Sequence, residues 1–169
     1  MTELEAFRKA KDEYFANDAN SPLLPEQREK FSGLNYFPEN PELRLEVEVH
    51  TFPEQKQVQM PTSTGDVKTY IRYGRFSFQV EGQEAQLTLF NSPHDYFLLF
   101  VDSLAGTETY GAGRYLEPEQ LSNGKFLVDF NLAYNPYCAY NEIWNCPIPP
   151  AENRLSVPIR AGEKIFDAD

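Results

Sequence analysis

The sequence predicts a mainly β fold, α+β at the margin: an antiparallel β-barrel or an orthogonal β-sandwich with an N-terminal helix and an irregular, proline-rich C-terminal segment. Between residues 43 and 130, apolar and polar residues alternate in short runs, which is the period of half-buried strands. The chain contains 13 Phe and 10 Tyr, large side chains that pack well on sheets. After residue 131, repeated X-Pro dipeptides exclude regular helix and central strand.

An amphipathic helix is predicted over residues 2–17. Thr2 and Glu5 have the spacing of a capping box, in which each side chain accepts a hydrogen bond from the backbone N–H of the other residue. The apolar residues that fall near one face are Leu4, Phe7, Tyr14 and Phe15. Because an apolar face needs a partner, we expect residues 1–34, which include a second short helix at 26–31, to pack on the sheet.

The strand predictions depend on the parity of the apolar residues. Residues 43–49 alternate as one strand. Residues 67–80 are predicted to form one long strand bent at Gly74, because the apolar parity switches there as it does at a β-bulge. Residues 96–101 are apolar on both parities, so this strand should be central and covered on both faces. Further strands are predicted at 85–89, 107–110, 113–116 and 125–130.

The length of 169 residues predicts a single domain over residues 1–169. Its parts would be a helical segment at 1–34, an antiparallel β core at 43–130 and an irregular segment at 131–169 that closes the core. Long loops in compact domains are either disordered or functional. Trp144 and the tyrosines around it argue against disorder in the last part.

The charge balance excludes several classes of partner. The net charge is −11, which repels phosphate backbones and anionic membranes, so we expect neither nucleic acid nor membrane as a partner. No apolar run approaches the length of a membrane span. The acidic N-terminus lacks a signal-peptide pattern and two cysteines are too few for a secreted disulfide scaffold, so we expect a cytoplasmic protein. Nothing in the sequence indicates an oligomeric state.

Standard motifs for cofactors and metals are absent from the sequence. Gly111-Ala112-Gly113 does not continue as a dinucleotide fingerprint, and is interpreted as a tight turn between strands. His50 and His94 are the two histidines, and they have no paired Cys or His spacing of the kind that a structural zinc requires. We therefore predict no cofactor and no metal site.

Cys138 and Cys146 allow three interpretations. They are buried thiols that act as small apolar side chains, they form a disulfide that pins the proline-rich segment, or one of them is a reactive thiol. A cytoplasmic location argues against a permanent disulfide. A nucleophilic thiol needs a neighbouring base, and the sequence does not place either histidine beside these residues.

A binding site is predicted where polar residues are embedded in aromatic sequence. Pockets combine apolar walls with a few convergent polar groups, and an arginine among tyrosines suits a carboxylate or another planar anion. The candidate ligand-binding residues are Asp102, Tyr110, Arg114, Asp129, Asn131, Tyr134, Asn135, Asn153 and Arg154. The alternative is that Arg114 and Arg154 pair with carboxylates such as Asp102, Asp129 or Glu152 and hold the loops in place.

Several runs of the chain resemble an uncharacterised bacterial and archaeal family, the domain of unknown function 1684 (DUF1684). They are YGAGRYL at 110–116, AYNPYCAY at 133–140 and CPIPPAENRL at 146–155, with shorter words at 21–23, 31–37, 129–131 and 161–163. The resemblance implies a compact domain in which the proline-rich tail belongs to the core, and it brings no activity or cofactor. Leu132 departs from the family pattern, which has a polar residue, often Arg, at this position.

The leading functional prediction is a small-molecule binding protein whose pocket lies at one end of the β core, closed by residues 134–154. The first alternative is an enzyme: a hydrolase with Asp102 or Asp129 as acid and base, or a thiol-dependent redox protein that uses Cys138 and Cys146. The second alternative is a scaffold subunit that acts with a protein partner.

Overall fold

The computed structural model describes residues 1–166. Two helices come first, α1 (Glu3–Asn17) and α2 (Pro25–Lys30). The strands follow as β1 (Arg44–Val47), β2 (His50–Thr51), β3 (Gln57–Pro61), β4 (Val67–Val80), β5 (Gln83–Asn91), β6 (Tyr96–Phe100), β7 (Arg114–Leu116), β8 (Glu119–Gln120) and β9 (Phe126–Asp129). Within the described range no helix combines the length and apolarity needed to cross a membrane.

The strands form two antiparallel sheets. The smaller sheet has the order β1-β9-β8, and the larger has the order β2-β4-β5-β6-β7, with β3 also paired to β4. The mainly β prediction with one N-terminal helix is confirmed. Within residues 1–166 the two sheets are not closed into a barrel, so the arrangement is that of a sandwich and the barrel alternative is wrong.

The main core lies between the two sheets. The larger sheet contributes buried side chains that include Phe76, Leu87, Leu98 and Phe100, and the smaller sheet contributes Phe126 and Val128. A second cluster, which includes Phe97 and Leu99, covers the opposite face of the larger sheet. β6 is therefore buried on both faces, as its double apolar parity predicted.

The bend in β4 follows from Gly74. The register of β4 against β5 shifts between Arg72 and Gly74, which is the predicted β-bulge. A Cβ at Gly74 would lie 2.7 Å from the His50 carbonyl oxygen and 2.7 Å from Val49 Cγ1. Since these contacts are too short for any side chain, glycine allows β2 to approach β4 here.

Two strand predictions were wrong, and one strand was missed. Residues 107–110 form no strand, because the Leu104 carbonyl accepts N–H groups from Thr107, Glu108 and Thr109 and closes the segment into a turn. The predicted strand 43–49 is shorter, because the chain leaves β1 at Val47 and crosses to the larger sheet as β2. The sequence analysis did not predict β3. Pro61 is compatible with this strand because it lies at the strand's end and breaks no interior hydrogen bond.

Asn153 fastens the proline-rich segment to the larger sheet. β5 and β6 are paired at Phe90–Phe97 and at Asn91–Tyr96, and continued pairing would place Thr88 opposite Leu99. The Asn153 side chain lies between them instead. Its Oδ1 accepts the Thr88 N–H (2.8 Å), and its Nδ2 donates to the carbonyls of Thr88 (2.9 Å) and Leu99 (2.8 Å).

We predict that Asn153→Ala lowers the free energy of unfolding by about 3 kcal/mol, because it leaves three buried backbone groups without partners. Urea unfolding followed by circular dichroism measures the change. Asn17→Ala, at the exposed end of α1, is the matched control and should change stability by less than about 0.5 kcal/mol. Equal effects of the two variants would contradict a fastening role for Asn153.

Candidate ligand-binding groove

A cavity with a volume of about 740 Å³ lies between α1 and the outer face of the larger sheet. We name it the α1 groove. α1, β4, β6, β7 and residues 134–147 form its walls. Its aromatic lining residues are Phe7, Tyr14, Phe15, Tyr70, Phe97, Tyr115, Tyr134, Tyr137 and Trp144.

Three of these aromatic side chains remain open to solvent. Phe7 is 46% exposed, Tyr14 is 38% exposed and Tyr137 is 37% exposed. The sequence predicted that Phe7 and Tyr14 belong to a packed helix face, but Phe15 is the buried residue of α1. The helix therefore spans a groove rather than sealing the sheet, and apolar side chains around a concave opening are typical of a binding surface.

A buried ion pair holds α1 over the groove. Lys11 Nζ donates to Glu163 Oε2 (2.9 Å), and Glu163 is 1% exposed. The same carboxylate accepts the Asn135 N–H (2.8 Å) and the Tyr140 hydroxyl (2.8 Å). Burial and the Glu163 charge raise the pKa of Tyr140, so its hydroxyl stays protonated and donates. Lys11 Nζ also lies 5.0 Å from the centre of the Tyr134 ring.

Arg114 points away from the groove, into the sandwich core. Its guanidinium donates to the carbonyls of Ile159 (2.9 Å), Ala161 (2.5 Å) and Glu163 (3.0 Å). Its Nη2 lies 3.7 Å from Asp102 Oδ2. Burial lowers the pKa of Arg114 to about 10, while Asp102 acts in the opposite direction, so the group is charged at neutral pH. This geometry matches the alternative in which arginine and carboxylate hold the loops in place.

The other predicted site residues are dispersed. Asp129 and Asn131 bond each other beside Asn40, and Asn153 lies in the seam between β5 and β6. Asn135 is buried beneath Glu163, whereas Arg154 is exposed. Tyr110 is half-buried and, like these residues, is not part of the groove lining.

Tyr134 is the predicted site residue that does line the groove. Its hydroxyl donates to Glu117, and burial together with this bond raises its pKa. Sequence reasoning missed the groove residues of α1 and of the outer sheet face, including Lys11, Lys68 and Tyr70, and the buried Glu163 beneath them. The aromatic residues on one face of α1 were the feature of the sequence that could have indicated this groove.

The two thiols are free and lie next to each other. Cys146 lines the groove, while Cys138 Sγ donates to the Trp144 carbonyl (2.9 Å). Burial and the neighbouring Cys138 raise the pKa of Cys146 to about 11. Neither His50 nor His94 lines the groove. In the described part of the chain, no group of three His, Cys, Asp or Glu residues could hold a metal ion.

Residues 29–164 match the model of a family described as a protein of unknown function, DUF1684. The chain belongs to this family. The solution NMR structure of an uncharacterized protein from Haloarcula marismortui is similar to this chain, with a TM-score of 0.72 at 35% sequence identity, and the match covers 96% of this chain and 92% of that chain. No curated protein matches the chain. The resemblance expected from the sequence words is confirmed.

We predict that Glu163→Gln lowers the free energy of unfolding by about 3 kcal/mol, since it removes one partner of a buried ion pair. Lys11→Met with Glu163→Gln should cost less than the sum of the two single variants by at least about 1 kcal/mol, because the two side chains interact directly. Urea unfolding of the wild type, both single variants and the double variant measures this coupling. If the two single-variant losses of stability simply add in the double variant, Lys11 and Glu163 do not interact and the ion pair is contradicted.

Cys146 should react slowly with iodoacetamide. A raised pKa leaves less thiolate at about pH 8, so alkylation should be at least about tenfold slower in the folded protein than in the urea-unfolded chain. The rate should rise with pH toward about 11. Mass spectrometry of the Cys146 peptide measures the modified fraction over time, and equal rates in the two states would contradict the raised pKa.

Proposed function

We propose that this DUF1684 protein binds a small molecule with an apolar, aromatic body in the α1 groove. The observation that carries the proposal is the aromatic-walled cavity of about 740 Å³, a volume within the range of about 300–1,000 Å³ that is usual for small-molecule sites. The predicted closing role of the proline-rich segment is retained, because Tyr134, Tyr137 and Trp144 supply one wall.

The walls are organised before a ligand arrives. Phe97 and Tyr115 pack edge to face with ring centres 4.9 Å apart, and Tyr137 and Trp144 do so at 5.2 Å. These ring pairs stabilise one another. Because these side chains are already packed, binding a flat apolar ligand would cost little of their conformational entropy, which favours affinity.

The polar groups of the groove support binding over catalysis. Lys11 is neutralised by Glu163, and the pKa values of Tyr134 and Cys146 are both raised. A general base or a thiol nucleophile at neutral pH needs the opposite, a pKa near or below the working pH. An enzyme is therefore the weaker candidate.

Charge and thiol chemistry bear on partner and compartment. The net charge of −11 opposes a nucleic acid partner. Free thiols persist in reducing compartments, so we keep the cytoplasm as the proposed location.

N-phenylnaphthylamine, an uncharged aromatic probe that fluoresces in apolar sites, tests the proposal. We predict that Ala10→Phe weakens its binding by at least about tenfold, because Ala10 lines the groove and a ring there occupies ligand space. Ala6→Phe is the matched control, since Ala6 is exposed one turn earlier on α1 and outside the groove lining. Fluorescence titration gives the dissociation constants.

Trp144 locates the bound probe. It is the one tryptophan of the chain and it lines the groove, so energy transfer from Trp144 to the probe should accompany binding. Transfer should disappear in Trp144→Phe. Binding that Ala10→Phe and Ala6→Phe affect equally would place the probe elsewhere and overturn the proposal.

A further inference from the structure

The charged residues that line the α1 groove have the opposite sign to the chain. Acidic residues outnumber basic ones by 26 to 15 in the sequence. Among the described residues 1–166, the groove lining nevertheless contains two lysines, Lys11 and Lys68, and neither Asp nor Glu. Two carboxylates lie directly behind this lining, because Glu163 binds Lys11 and Glu117 accepts from the Tyr134 hydroxyl. The local field therefore favours an anion where a lysine of the lining is left unpaired.

The two lysines differ in how far they are neutralised. Lys11 is bound by the buried Glu163 carboxylate. Lys68 lies on β4 opposite Met60 of β3, with its side chain exposed. In the part of the chain that the structure describes, Lys68 belongs to no ion pair, so its charge is the uncompensated one at the groove.

A second donor lies at the same end of the groove. The Ser63 N–H bonds to the Cys146 carbonyl (3.0 Å), which holds residues 145–147 beside the turn between β3 and β4. Asn145 also lines the groove, and its Oδ1 accepts from Thr64 Oγ1 (2.7 Å). This bond occupies the amide oxygen and leaves the amide N–H groups as donors. The Lys68 charge acts on the Cys146 thiol, which places it at this end as well.

We propose that the ligand is an anion, with an aromatic body in the α1 groove and one carboxylate or sulfonate group bound by Lys68 and the Asn145 amide. This inference rests on the proposed function and adds the chemical class of the ligand. An ammonium and an amide N–H give an anionic oxygen two directed donors. The aromatic rings supply the apolar contact, so the site selects amphiphilic acids over neutral compounds of the same shape.

A matched pair of probes tests the proposal. Anilinonaphthalene sulfonate is N-phenylnaphthylamine with an added sulfonate, so the two share an aromatic body and differ in charge. We predict that Lys68→Gln weakens binding of the sulfonate about fivefold and leaves binding of the uncharged amine within about twofold. Sulfonate binding to the wild type should also weaken as salt is added.

Lys125→Gln removes one positive charge from an exposed residue outside the groove lining, and controls for net charge. It should leave both probes unaffected. The anion inference is overturned if Lys68→Gln weakens the binding of both probes equally, or if Lys125→Gln weakens sulfonate binding as much as Lys68→Gln does. In either case the proposal of a small-molecule site in the α1 groove is unaffected. If neither probe binds the wild type, the proposed function itself is overturned.

Discussion

The buried guanidinium of Arg114 is the interaction on which the rest of the structure depends. Arg114 is 1% exposed, so its N–H groups cannot bond to water. They donate instead to the carbonyls of Ile159, Ala161 and Glu163. Residues 159–163 belong to no named strand, and the backbone bends at Ala161 and at Gly162, where φ is +79°. The Arg114 side chain therefore supplies the N–H groups that a neighbouring strand would otherwise give to these three carbonyls. Asp102 offsets the cost of burying the charge and also accepts the Ile159 N–H.

The position of Glu163 follows from this clamp, and the groove follows from Glu163. With its carbonyl held by Arg114, Glu163 turns its carboxylate toward Lys11, Asn135 and Tyr140. The ion pair to Lys11, together with the packing of Phe15 against Leu34 and Tyr140, holds α1 beside the outer face of the larger sheet, and the space beneath the helix is the α1 groove. An interaction in the sandwich core thereby fixes the geometry of a surface site without contacting it.

The placement of the groove explains why polar residues of the proline-rich segment were poor guides to it. The polar side chains of that segment already have hydrogen-bond partners within the fold. Asn153 bonds to backbone groups between β5 and β6, and Asn131 bonds to Asn40 and Asp129. The groove instead uses aromatic side chains from α1, from three strands of the larger sheet and from the proline-rich segment, and its unpaired charge lies on a strand, at Lys68. A groove of this kind is lined by side chains that the packing of the core and the fastening of the loops do not use.

The sequence by itself determined what local pattern controls: antiparallel strands, the capping box of Thr2 and Glu5, the bulge at Gly74 and the doubly covered β6. Each depends on residues a few positions apart, where periodicity and turn chemistry are sufficient. Tertiary structure decided the sandwich, the role of Arg114 and the wall of the groove. Lys11 and Glu163 are 152 residues apart. The periodicity of apolar residues within a helix or a strand therefore does not predict that the Lys11 and Glu163 side chains meet.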